Sequence, residues 1–150
     1  MLLPAYAYLA VLSISLVVID IRHKRLPNLL TLPAYPILLV LLAIPASMED
    51  RWSDFFRAVL GSGITLLILF LIASVSPSGF GMGDVKLAGA LAIPLAWHSW
   101  LALLIGVSTA FILSAMYSLV LVAIQRVNRT SLIPFGPFLI TSTWLVIVFT

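Results

Sequence analysis

Apolar residues run through this chain in blocks of roughly helical-span length, separated by short polar breaks. The blocks fall at about 2–19, 27–45, 56–75, 84–97, 99–124 and 132–149. A membrane-spanning helix needs about 20 mostly apolar residues. The runs are too long, and too poor in period-two alternation, for the strands of an outer-membrane barrel. The pattern predicts an all-α polytopic membrane protein of about six transmembrane helices. The fourth block is short and holds Pro94. At about 1.5 Å per residue it falls short of the roughly 30 Å hydrocarbon layer, so its start is expected to lie below the membrane surface.

Composition supports that class. The 150 residues are 63% hydrophobic and 9% charged, with a mean hydropathy of +1.22. One transmembrane domain over 1–150 is expected. There is no cysteine, which excludes disulfides, thiolate metal sites and cysteine nucleophiles. No cleavable signal peptide is evident, because the first block has no basic residue before it. The net charge of +3 does not indicate a nucleic-acid partner; its meaning lies in where the charges fall.

The break at 21–26 carries Arg22, His23, Lys24 and Arg25, and the break at 125–131 carries Arg126 and Arg129. Basic short loops stay cytoplasmic. The break at 46–54 carries Glu49, Asp50, Asp54 and Arg51, and is expected outside, together with the tight turn at 96–99. Six crossings satisfy both, with both termini outside. Trp97 and His98 are then ordinary interfacial residues at an outer turn. Asn128-Arg129-Thr130 fits a glycosylation pattern but falls in an inner loop, where it means nothing.

Two of the five acidic residues remain, Asp20 and Asp84. Intramembrane ionisable groups are costly and mark function. Asp20 is expected to end the first helix and Asp84 to start the fourth, both at the cytoplasmic side. Two carboxyls sharing a site cannot both ionise easily; one activates water while the other donates a proton. The dipoles favour an anionic Asp84 and a neutral Asp20, a bias that Arg22 and Arg25 oppose. The glycines of the 77–83 loop can adopt positive φ and bring the backbone close to another chain. Structural readings stand beside these: Asp20 as an interfacial terminus paired with Arg22 or Arg25, Asp84 as a helix-start residue, Lys86 as a snorkelling cation. His23 permits a rival in which Asp20, His23 and Asp84 hold a divalent cation; their spacing matches no metal motif, and no cofactor is expected.

Gly81-Met82-Gly83-Asp84-Val85-Lys86-Leu87 resembles the GxGD signature of membrane aspartic peptidases, in the form found in type IV prepilin peptidases. Asp20-Ile21-Arg22-His23-Lys24-Arg25-Leu26-Pro27-Asn28 is similar to that family's first-aspartate stretch, and Ile133-Pro134-Phe135-Gly136-Pro137-Phe138 to its C-terminal motif. The three occur in family order. The resemblance implies six membrane helices, Asp20 and Asp84 as the catalytic pair, and Gly81, Met82, Gly83, Pro134 and Gly136 as substrate contacts. It implies an aspartic endopeptidase of the bacterial or archaeal cytoplasmic membrane that removes the short basic leader of prepilin-like proteins at the cytoplasmic face. Longer members carry an N-terminal region with paired CxxC motifs and an N-methyltransferase activity. A cysteine-free chain that opens at a span looks like the peptidase-only form. Two other classes fit intramembrane acids: a small transporter using Asp20 and Asp84 as a proton or cation relay, and a non-catalytic pilus or secretion assembly subunit. Substrate and oligomeric state are not legible.

Overall fold

The structure, a computed structural model, describes residues 2–23, 28–75, 81–124 and 135–150. It consists of six helices: α1 Leu3–His23, α2 Asn28–Met48, α3 Trp52–Val75, α4 Met82–His98, α5 Trp100–Ala123 and α6 Gly136–Phe149. Each apolar block has become one helix, since in hydrocarbon a helix satisfies its own backbone hydrogen bonds. Four of them, α1, α2, α3 and α5, are long and apolar enough to cross a membrane. The other two have 17 and 14 residues, about 25 and 21 Å. Lys24, Arg25, the 76–80 loop segment, Arg126, Arg129, the Asn128-Arg129-Thr130 pattern and Pro134 lie outside the described residues.

Several boundaries differ from expectation. Helix α1 continues beyond Asp20 through Ile21, Arg22 and His23; the two basic residues suit the negative end of its dipole. Asp54 is in the first turn of α3, not in the loop. Helix α2 carries Pro33, Pro36 and Pro45 inside it. The α2–α3 turn is closed by the Arg51 N–H donating to the Ala46 carbonyl at 2.9 Å. Asp50 there takes φ 52°, a left-handed conformation that a short polar side chain tolerates. One residue joins α4 to α5: the Ser99 N–H closes α4 onto Leu95 O at 3.3 Å, and its Oγ accepts from the Ala102 N–H at 2.9 Å.

Helix α4 is the central element. It packs against α2, α3, α5 and α6, and twelve of its 17 residues are buried. Its Ala- and Gly-rich sequence, Ala88-Gly89-Ala90-Leu91-Ala92, allows this close approach from several sides. Gly89 lies against Tyr35 and Leu66, where a Cβ would collide with the Tyr35 Oη. Helix α1 packs on α2 and α6. Among the described residues, no Cα of α1 comes within 8 Å of one in α4. The core between the elements is aliphatic, with Leu9, Leu16, Leu38, Leu42, Leu87, Leu91 and Leu139 in one buried cluster.

The bundle has two polar ends. At one, Arg57 of α3 caps the C-terminus of α4. Its Nε donates to Ala96 O at 2.6 Å and its Nη2 to Trp97 O and to His98 O at 3.1 Å. Asp54 neutralises it at 2.8 Å and also takes Arg51 at 2.6 Å. The Arg51 guanidinium lies 5.0 Å from the centre of the Trp97 ring. Tyr6 of α1 hydrogen-bonds and stacks on His98. Trp97 lies at this end and is only 1% exposed, with the Arg51 guanidinium over its ring. The α2–α3 and α4–α5 connections share this end, as expected. Asp20 and Asp84 lie at the opposite end.

Candidate active site

Asp20 is the most buried charge of the described residues, at 4% exposure. It points off α1, one turn before the helix ends, and its Oδ2 has no hydrogen-bond partner among the described residues. It lies against the start of α6. A Cβ built on Gly136 would stand 2.6 Å from Asp20 Oδ2 and 3.2 Å from its Cγ, and the Gly136 amide faces the carboxyl. Leu87 closes the floor, 3.4 Å from the same point.

Asp84 is the third residue of α4. Gly81 is the N-cap, accepting from the N–H groups of Asp84 at 3.1 Å and Val85 at 3.3 Å. Gly83 is therefore inside the first helical turn, not in the loop. The expectation of positive φ is overturned for Gly81 and Gly83: no described glycine has it, and Gly81 is extended at φ −75°, ψ 141°. At Gly81 the lack of a side chain serves space: a Cβ there would be 3.3 Å from Asp84 Oδ2.

The two carboxyls are close enough to repel each other electrostatically, although their helices make no direct backbone approach. Helix α6 is the link, because it packs on both α1 and α4. Two carboxyls at one end of the bundle, one with a buried oxygen unsatisfied among the described residues, can share a proton and hold a polar reactant between them.

The remaining candidates separate. Gly136 joins the Asp20 side and Gly81 the Asp84 side. Met82, the first residue of α4, is 48% exposed at the mouth. Pro134 lies outside the described residues. His23 is exposed at the end of α1, and among the described residues no three His, Cys, Asp or Glu side chains gather as a metal site. Lys86 does not snorkel freely: its Nζ donates to Asn28 Oδ1 at 2.9 Å, and its carbonyl accepts from the Tyr35 hydroxyl. The second motif is thereby tied to the end of the first. Both residues stood in motifs, but the bond between them spans 58 positions and leaves no sequence signal. Tyr35 and Arg57 were missed for the same reason, since their acceptors are main-chain carbonyls. Between the two polar ends the helices carry no Asp, Glu, Lys, Arg or His, so no ionisable ladder crosses the bundle.

Residues 7–126 match the sequence model of the Type IV leader peptidase family. Among curated proteins, the chain is similar to the prepilin leader peptidase/N-methyltransferase of Legionella pneumophila, 33% identical over 143 residues, which covers 91% of this chain and 47% of that protein. The protein of the same description from Dichelobacter nodosus is 32% identical over 141 residues, covering 91% and 45%. That from Xanthomonas campestris pv. campestris is 31% identical over 133 residues, covering 85% and 44%. The chain spans about half the length of these relatives. No solved structure matches it.

Proposed function

Because the chain belongs to the type IV leader peptidase family, we propose that it is a membrane aspartic endopeptidase that removes the short basic leader of prepilin-like substrates. The observation that carries this reading is that Asp20 and Asp84, from helices whose backbones do not approach each other closely, lie at one end of the bundle near enough to interact electrostatically. In the reaction, a water sits between the carboxyls. The ionised member takes its proton as the oxygen attacks the scissile carbonyl carbon, and the protonated member donates to the carbonyl oxygen. The tetrahedral species collapses by breaking the C–N bond, with the amine leaving protonated. Carboxyls suffice for this sequence.

The orientation proposed puts Asp20 and Asp84 at the cytoplasmic face of a bacterial or archaeal membrane, with α4 and α6 completing six crossings. Arg22 extends from the same end, and Arg51 and Arg57 at the other are neutralised by Glu49 and Asp54, which agrees with the basic-inside rule. The substrate's basic leader stays in the cytoplasm while its apolar helix remains in the bilayer. Gly81, Met82 and Gly83 are proposed to line its path beside Asp84. The relatives' names include N-methyltransferase; the peptidase step alone is proposed for this cysteine-free chain.

The test is co-expression with a prepilin-like substrate. Asp20→Asn and Asp84→Asn should each abolish the mass shift of leader removal with membrane insertion intact. Near-normal cleavage by either variant defeats the pair. A chelator should leave cleavage in detergent unchanged. Loss under EDTA with recovery on adding one divalent ion would favour the Asp20/His23/Asp84 arrangement instead.

A further inference from the structure

The chain contains two Phe-Gly pairs, Phe80-Gly81 and Phe135-Gly136. In the structure the glycine of each stands behind one of the two aspartates. The first heavy atom a Cβ would meet is Asp84 Oδ2 at Gly81, 3.3 Å away, and Asp20 Oδ2 at Gly136, 2.6 Å away. The second distance is well inside van der Waals contact. The atom it strikes is the end of a side chain, so the carboxyl is what gives way. Asp20 has little room to go: it is only 4% exposed, and Leu87 also comes within 3.4 Å of the same Cβ position.

The Gly136 amide adds direction. Gly136 is the first residue of α6. Pro137 beside it has no N–H, and the next two amides, of Phe138 and Leu139, are both taken by the Phe135 carbonyl at 3.1 and 3.2 Å. The Gly136 N–H is the amide of this turn left facing the Asp20 carboxyl, whose Oδ2 has no hydrogen-bond partner among the described residues. The start of α6 thus lies beside a buried carboxyl oxygen that has no hydrogen-bond partner among the described residues.

We propose that Gly136 is a positioning residue for Asp20 and not a substrate contact: a seat without a side chain, which sets where that carboxyl lies relative to Asp84. Gly81 is the looser counterpart behind Asp84. Among the described residues, the ionisable groups around Asp20 do not offer another seat. Helix α6 has none, Lys86 of α4 is held by Asn28, Tyr35 of α2 is held by the Lys86 carbonyl, Arg22 and His23 are exposed on α1's own last turn, and Asp84 repels it.

The inference refines the peptidase reading, and its test has one arm that depends on that reading and one that does not. In the kinetic arm, Gly136→Ala should lower kcat by about 100-fold with KM unchanged, the scale of a 1 Å misplacement, and Gly81→Ala should lower it less. A raised KM at unchanged kcat, or wild-type kinetics, overturns the proposal. In the spectroscopic arm, wild-type protein in detergent is labelled with 13C-carbonyl Phe and 15N Gly, which selects two amide signals, Gly81 and Gly136. One should respond chiefly to Asp20→Asn and the other to Asp84→Asn. Indifference of both signals to Asp20→Asn overturns the proposal even if Gly136→Ala does not fold. A wild-type enzyme that cleaves no prepilin-like substrate defeats the peptidase reading and leaves the spectra to decide this one.

Discussion

Arg57 shows how much a single residue can hold in a chain so poor in charge. Three carbonyls at the end of α4 have no helical N–H to accept from, and its guanidinium supplies all three while Asp54 balances the charge. Hydrogen bonds to a charged group are worth about 1.5–3 kcal/mol, and an orphaned acceptor costs a similar amount. Arg57→Met should therefore lower stability by at least about 2 kcal/mol, seen as a lower thermal unfolding midpoint in detergent. Cleavage per folded molecule should persist, because the aspartates are at the other end. At this scale the sequence was legible where an ionisable group stood in an apolar context beside a motif, as with Asp20 and Asp84. It was silent where the partner was a main-chain carbonyl distant in sequence. Arg57 read only as one basic residue near the start of an apolar block, and nothing local says that the end of α4 lies beside it.

Helix α3 offers a matched comparison at the scale of elements. Gly61 and Gly63 are two positions apart and face different surroundings. A Cβ at Gly61 would meet Ala96 Cβ at 2.5 Å and Leu103 at 3.1 Å, whereas at Gly63 it meets nothing within 4 Å. Ala96 is helical backbone-bound and cannot swing aside. Gly61→Ala should destabilise by about 1–3 kcal/mol through overpacking. Gly63→Ala should be neutral or stabilising by up to about 1 kcal/mol, the helix preference of alanine over glycine. Equal effects in a thermal or denaturant series would contradict the α3–α4 packing described above. Six elements and their order were legible because apolar runs and polar breaks are long-period signals. Boundaries were less so. Helix α1 runs past Asp20 because Arg22 and His23 are acceptable to a helix end. Gly83 belongs to α4 because Gly81 takes the capping place with an ordinary extended backbone.

At the scale of the whole molecule, the arrangement sets two polar ends apart, and that separation can be tested in a cysteine-free chain. Cysteines at Ser47 and His23, both exposed and at opposite ends, should label from opposite sides of the membrane with an impermeant thiol reagent. The position-47 cysteine is expected to label from outside and the position-23 cysteine only after permeabilisation. Labelling from one side for both would remove the basis for the proposed orientation. The apolar pattern foretold a polytopic bundle, but not which helix would be central. That follows from shape: an Ala- and Gly-rich helix packs closely with several neighbours, whereas α5, with four buried residues in 24, faces outward.

The central position of α4 bears on how the chain is assembled during synthesis. A helix wrapped by protein gains little from lipid, so its sequence is under no demand to be strongly apolar. It is also the element finished before α5 and α6 exist to cover it. Of the two companions already made, α2 and α3, it shares the more extensive packing with α3, as well as the Ser62 hydroxyl donating to Gly89 O at 2.8 Å and the Arg57 cap. Gly61 and Arg57, both on the face of α3 that meets α4, are therefore in place before α5 and α6 are made, whereas Gly136, which lies against Asp20, comes last.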